Sequence, residues 1–216
     1  MEVLKACTND CLTGYLYMLN NIPLFPLNTV LFPEGVLPLR IFEARYLDMV
    51  SEAMRNQSEF GICLITEGSE AGEPAECREI GTFANIVDWD QGEDGLLNIT
   101  VKGGKRFRIK EKRVRDNRLI EGDLEIIDDA GNEEVPVEYQ LLSDLLHQIA
   151  NKFELKHMLD KNKYQDANWV GCRLAEVLPF ELDDKQELLE MHDPLKRLAS
   201  IQSMLHELGP EEDIKR

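Results

Sequence analysis

An α+β fold class follows from three observations on the 216-residue sequence. Residues 22 to about 127 hold short apolar runs punctuated by proline, several of them alternating apolar and polar residues. From about residue 135 onward the apolar residues recur at helical spacing instead. Between the two lies the acidic, glycine-containing stretch DDAGNEE at 128–134, which reads as a linker. The expected organisation is therefore a lead-in at 1–17, a β-rich part at 18–127, the linker, a helical part at 135–209 and a tail at 210–216. The first 17 residues lack clear periodicity and hold two of the five cysteines. Either they are a short ordered lead-in or translation starts at Met18, leaving 199 residues.

The elements can be justified in order. Runs at 22–27 and 36–41 contain or adjoin Pro23, Pro26, Pro33 and Pro38. Proline lacks an N–H, so such strands belong at edges, ends or bulges. Residues 43–57 are the exception: Tyr46, Leu47, Val50, Ala53 and Met54 predict one amphipathic helix. Residues 60–66 predict a buried strand, with Cys63 as a small core residue. An acidic loop at 67–79 follows, then strands at 84–90 and 96–101 around a turn at 91–95.

The strands at 105–112 and 120–126 predict a hairpin. Phe107 and Ile109 alternate with Arg106, Arg108, Lys110 and Lys112, and Leu124 and Ile126 alternate with Glu121, Asp123 and Glu125. A two-residue Asp116-Asn117 turn would set Lys112 opposite Glu121, Lys110 opposite Asp123 and Arg108 opposite Glu125. Such pairs contribute about 0.2–1 kcal/mol each and help fix register.

In the helical part, Leu142, Leu145, Leu146, Ile149 and Phe153 form one stripe within 138–159. Asp166 is placed to cap a helix that Pro179 ends, and Asp184 with Glu187 resembles a capping box. Asp193-Pro194 opens a last helix carrying Leu195, Leu198, Ile201, Leu205 and Leu208, which Gly209-Pro210 closes.

Composition narrows the function. Apolar residues make up 43% and charged residues 30%, enough for a packed core. The net charge of −17 repels free nucleic-acid backbone. No apolar run approaches the ~20 residues of a membrane helix, and the start is a poor signal peptide. With five scattered cysteines, this reads as a cytoplasmic protein that needs no membrane. No phosphate loop, dinucleotide fingerprint or nucleophile elbow occurs. The four histidines are dispersed, so no catalytic residue, metal site or cofactor is expected.

Three constellations remain. Residues 102–118 hold nine basic residues against Glu111 and Asp116, a local charge of +7. Arg106, Arg108, Lys110 and Arg113 could contact RNA there, but the hairpin pairing would neutralise them. No exposed aromatics alternate with the cations, as single-strand stacking would want. Arg40, Glu43, Arg45 and Tyr46 sit where a strand turns into the helix. Glu43 in the first helical turn would face the favourable dipole and pair with Arg40 as a structural clamp. Phe32, Pro33, Val36 and Leu37, with Trp169 from the helical part, form a candidate protein-binding surface. The same residues would otherwise pack the two parts together, and exposure as one patch decides.

Taken together, PLFPLNTVLFPEGVLPLRIFEARYLDMV at 23–50, Phe60-Gly61-Ile62, Ile80-Gly81-Thr82 and Gly104-Lys-Arg-Phe-Arg-Ile109 resemble the amino-terminal domain of Lon proteases. So do LAEVLP at 174–179, KQELLE at 185–190 and DPLKRL at 193–198. The resemblance covers nearly everything from Met18 to Leu208. It implies a PUA-like β-pseudobarrel with one main helix, followed by an α-helical bundle. It also implies recognition of protein substrates. Neither the ATPase nor the Ser–Lys protease motif of Lon occurs in the sequence, which in this resembles stand-alone bacterial forms of the domain. The expectation is a non-enzymatic module for protein or peptide segments, an adaptor beside protease or chaperone components. The alternative is a PUA-like RNA-binding domain using 102–118. A small-molecule enzyme would require a buried polar pocket.

Overall fold

The computed structural model describes residues 18–128, 131, 133–207 and 209. β1 (Met18–Leu27) and β2 (Val36–Ile41) precede α1 (Ala44–Asn56). β3 (Phe60–Glu67), β4 (Glu76–Cys77), β5 (Ile80–Gln91), β6 (Leu97–Val114) and β7 (Ile120–Ile127) complete the strands. α2 (Gln140–Lys152), α3 (Ala167–Val177), α4 (Leu182–Glu190) and α5 (Pro194–Glu207) follow. The chain thus has the mixed α and β content, with helices after the strands, that its patterning predicts. Residues 1–17, Leu208, Pro210 and the rest of the tail lie outside the described residues.

The strands pair in the order β1-β7-β6-β5-β3-β4, with β2 also on β6. β1 additionally pairs with β3, in parallel, so the hydrogen-bonded path closes on itself. Every other pairing is antiparallel. Pro38 lies on β2, which among the described residues pairs with β6 alone, where a missing N–H is tolerated.

β6 corrects the expectation of two separate strands. Its 18 residues run unbroken from Leu97 to Val114. One edge is shared: β2 covers residues 97–102 and β7 covers 106–114. Gly103 sits at that change of partner. A Cβ there would lie 2.1 Å from the Phe32 carbonyl oxygen, so only glycine lets the 32–35 segment close in. Glu34 N–H donates to Gly103 O, and Gly103 N–H to Gly35 O, both at 2.8 Å. The glycines that interrupt the apolar pattern therefore mark a crossing point rather than a strand end.

The hairpin register is half as expected. Arg108 faces Glu125 and Ile109 faces Leu124, but Lys112 faces Gly122 and Arg113 faces Glu121. The turn has three residues, not two. Arg115 and Leu119 close it, and the left-handed residue is Arg118 at φ 67°. The extra residue shifts pairing by one, and a bulge at Lys110 restores the predicted register beyond it.

α1 matches its prediction within a residue at each end. α2 is shorter than the 138–159 stripe: it ends at Lys152, and Phe153 is 62% exposed. Asp166 caps α3 by accepting from Asn168 N and Trp169 N at 2.9 and 3.1 Å. Asp193 caps α5 in the same way, at 2.9 Å from Leu195 N and 3.1 Å from Lys196 N. The predicted capping box is absent. α4 starts earlier, at Leu182, so Asp183 and Asp184 lie in its first turn and Glu181 stands at the cap without a side-chain bond.

The β-rich and helical parts share one core. Val30, Phe32, Leu64 and Ile80 pack with Leu146, Trp169, Leu174, Leu189 and Ile201. α3 is buried along nearly its whole length. A second core, with Phe25, Ile41, Val50, Phe60 and Ile99, lies between α1 and the strands. The end of the predicted linker is pinned: Val135 N–H donates to Gln165 O and Ala167 N–H to Glu133 O, at 2.9 and 2.8 Å.

Candidate protein-binding surface

The apolar set expected to recognise partners is divided by the fold. Phe32 is 1% and Trp169 5% exposed, both within the shared core. Trp169 meets Tyr164 edge-on, with ring centroids 5.3 Å apart. Pro33, Val36 and Leu37 are half-buried. The Pro33 carbonyl accepts from the buried Arg173 guanidinium at 2.7 Å. Phe32, Pro33 and Trp169 join the two parts, Leu37 packs against the α1 core, and the set forms no exposed contiguous patch.

The clamp at the start of α1 forms with a different cation. Glu43 stands at the cap position in extended backbone, one step before the first turn. It pairs with Arg45 at 3.1 Å, while the exposed Arg40 pairs with Asp94 in the β5–β6 turn. Arg45 is buried, donates to Arg118 O at 3.1 Å and lies 4.7 Å over the Tyr46 ring. Tyr46 stacks on Phe25 at 4.0 Å, and burial pushes its hydroxyl up to about 12. The clamp is thus a structural knot joining α1, β1 and the 115–119 turn.

The basic strand is neutralised, though not by the predicted partners alone. Lys110 pairs with Glu125, Arg113 with Asp123 and Arg115 with Glu121 across the hairpin. The acidic loop supplies the rest: Glu73 to Arg118, Glu76 to Lys112 and Glu79 to Arg108. Lys102 pairs with Glu34 and Lys105 with Asp128. Arg106 is not on the surface at all. It is 1% exposed and donates to the carbonyls of Leu189 and Met191 at 2.7 and 2.9 Å. The acidic run at 67–79, which sequence alone reads as a solvated loop, is therefore the counter-charge of the basic strand.

One exposed apolar surface lies around α1; Val137, Leu141 and Phe153 in the helical part are exposed as well. β3 pairs with β5 only through residues 82–84. Beyond Ala84, β5 projects past β3 toward the tip of the β5–β6 hairpin. Between this projecting half and the end of α1 lies a groove of about 280 Å³ lined by Ala53, Met54, Gln57, Ile86, Val87 and Trp89. Trp89 is 57% and Val87 56% exposed. A second hollow of about 220 Å³ continues past Trp89 to Leu47, Leu96 and Ile41. A third, of about 310 Å³, runs from Ile41 to Phe42, Leu39 and Tyr46. Phe42 is as exposed as Trp89. Trp89 lines the first two hollows and the buried Ile41 the last two, so the three are neighbours around α1. This surface is absent from the sequence-based expectation. Its signal is in the sequence nonetheless: VDWD at 87–90 alternates large apolar residues with acids.

All three hollows are open grooves. Among the described residues no group of three or more His, Cys, Asp or Glu side chains is placed to hold a metal ion. Among the same residues no helix is long and apolar enough to cross a membrane.

A family model described as the ATP-dependent protease La (LON) substrate-binding domain matches residues 21–207. Among curated proteins, Lon protease 1 of Bdellovibrio bacteriovorus is 27% identical over 212 residues, 93% of this chain and 26% of that protein. Lon protease of Cytophaga hutchinsonii is 25% identical over 205 residues, 90% of this chain and 25% of that protein. The chain thus spans about a quarter of the length of the curated relatives it matches. Among solved structures, the Lon N-terminal domain protein from Xanthomonas campestris superposes with a TM-score of 0.72 at 36% identity, covering 86% of this chain and 98% of that one. The N-terminal domain of Mycobacterium avium complex Lon protease superposes with a TM-score of 0.65 at 16% identity, a likeness of fold, over 87% and 98%.

Proposed function

The chain belongs to the ATP-dependent protease La (LON) substrate-binding domain family, and we propose that it recognises exposed segments of other proteins through the grooves around α1. The observation that carries this reading is the set of solvent-facing apolar residues, Phe42, Val87 and Trp89, at neighbouring hollows around α1. Large apolar residues held in water around a concave surface mark interaction sites. The closed strand path with α1 against it supports a PUA-like pseudobarrel, and α2 to α5 around α3 support a helical bundle. Phe32 and Trp169 then have a rigidifying role: they fix the helical part to the strands and leave the α1 side free.

We assign the chain recognition rather than catalysis, since the region it matches is the substrate-binding one. In the cell it would present unfolded or partly folded proteins to protease or chaperone components. The neutralised basic strand argues against RNA as the ligand, because each of its exposed cations already faces a carboxylate.

The test is binding of a fluorescently labelled, reduced and carbamidomethylated globular protein to the full chain, with the same protein folded as the control. Binding of the unfolded form alone, surviving 0.3 M salt (roughly where surface charge interactions are screened beyond about 6 Å), is expected. Equal binding of both forms, or of neither, would overturn the reading.

A further inference from the structure

We propose that the groove between α1 and the free edge of β5 takes an extended polypeptide segment in which lysines or arginines flank an apolar residue. This rests on the reading of the chain as a protein-recognition module and names the class of segment recognised. Three observations meet here.

The first is an open strand edge. β6 covers one side of β5 along the whole stretch from Ile86 to Gln91. On the other side β3 stops at the pairing of Phe60 with Ala84, and no described strand continues it. An added strand would extend the line of β3 and pair with main-chain groups of this edge, replacing the bond that Trp89 N–H donates to Asp88 Oδ1 at 2.9 Å. Six strand residues span about 20 Å, room for an extended segment of about six residues.

The second is a pocket for one side chain of that segment. Ala53 and Ile86 form a floor, Met54 forms one wall, and Trp89 and Val87 form the other. Met adapts to different apolar shapes, and Trp presents a large face at low entropic cost. A strand lying in the groove directs alternate side chains into it and the others outward.

The third is charge, which selects the outward residues. Asp88 and Asp90 flank Trp89 on the exposed β5–β6 hairpin, and Glu93 and Asp94 lie at its tip, beside Arg40. Asp94 pairs with Arg40, and among the described residues the other three show no ion pair. Glu59, at the inner end of the groove, accepts from Asn85. On α1, Asp48 is exposed, but so is Arg55 next to Met54, and Glu52 lies near Arg115 rather than at the groove. The hairpin side of the rim thus favours cations and repels carboxylates, within a chain of net charge −17 that draws in cationic segments. A cation placed over Trp89 would also gain from its ring face.

The experiment uses the full chain and three labelled ten-residue peptides, each with a central Phe-Val-Leu flanked by lysines, serines or glutamates. Fluorescence anisotropy at 0.05 M salt should rank them lysine, serine, glutamate. The lysine peptide should bind at least tenfold tighter than the glutamate one, with the gap shrinking several-fold at 0.5 M. Trp89→Ala should weaken the lysine peptide about tenfold, and Asp88→Asn with Asp90→Asn about threefold or more. All three residues are exposed, and an unchanged urea midpoint shows that the variants fold. N-methylation of alternate peptide amides should abolish binding.

If carbamidomethylated protein binds but the three peptides bind alike and the variants match the parent, this inference falls and the recognition module stands. If neither peptides nor unfolded protein bind, both fall. Self-association of the chain that Trp89→Ala abolishes, seen by sedimentation, would overturn the assignment to a peptide in favour of a second copy. Binding that survives N-methylation would overturn strand addition.

Discussion

Two buried thiols differ in the fold. Cys63 on β3 and Cys77 on β4 are both buried, and their thiols hydrogen-bond to each other. That bond, with burial, pushes the Cys63 thiol up. The same bond holds the Cys77 thiol below its usual value, and the Lys112 ammonium adds to it. A lowered value means thiolate at lower pH, and thiolate is the nucleophile. Iodoacetamide at pH 8 should therefore alkylate Cys77 at least tenfold faster than Cys63, as read by peptide mass mapping. Lys112→Met should slow Cys77 labelling. Equal rates for the two cysteines would contradict the assignment. Sequence shows Cys63 as a core residue from its apolar neighbours. It cannot show the contact with Cys77, because β3 and β4 meet across a loop with no periodic signal.

Caps and helix stripes were legible because they are local. Asp166 and Asp193 bond to N–H groups two and three residues on. Replacing either with alanine should cost about 1 kcal/mol, measured by urea denaturation. Asp184→Ala should cost under about 0.5 kcal/mol, as for a surface site without such a bond. A larger loss at Asp184 than at Asp166 would reverse this account. The β6 boundary was illegible for the opposite reason. Gly103 and Gly104 look like a strand break, whereas Gly103 is small because Phe32, 71 positions earlier in the sequence, presses its backbone against it. Gly103→Ala should destabilise by about 1–3 kcal/mol through overpacking. The hairpin shows an intermediate case: its pairing was legible, but its turn length was not, since Arg118 at positive φ carries no composition signal.

At the scale of the molecule, buried arginines bolt the helices to one another and to the strands. Arg106 reaches from β6 to the carbonyls that end α4, at Leu189 and Met191. Arg197 reaches the same region from α5, donating to Leu188 O at 2.8 Å and to the Met191 carbonyl. Its side chain also donates to Asn168 Oδ1 at 2.7 Å. A Cβ on Gly171 would lie 3.1 Å from the Arg197 stem, so α3 and α5 approach closely there. Gln186 adds a bond to Ile80 O at 3.0 Å. Arg106→Ala should cost about 3 kcal/mol, because it strips charged donors from buried carbonyls. In a Trp89→Phe background, Trp169 fluorescence reports the helical part. With Arg106→Ala its urea transition should separate from the far-ultraviolet circular dichroism transition, as the shared core loosens. Coincident transitions with a loss under about 0.5 kcal/mol, the range of surface substitutions, would show that apolar packing alone joins the two parts.

What the sequence determined by itself was what neighbours within a few residues decide. That includes the α+β division, helix α1, the caps at Asp166 and Asp193, and a set of residues dense enough to place the chain in its family. What only tertiary structure decided was the use of each charged or apolar residue once distant segments met. Arg106 alternates with Phe107 like any surface strand cation, yet it is buried because α4 ends over it. Trp169 and Phe32 look like a binding patch, yet each covers the other part. Trp89 looks like one more strand aromatic, yet it stays in water because β3 ends before reaching it. Burial is a property of what else arrives at a position, and periodicity along one segment reports only which residues share a face.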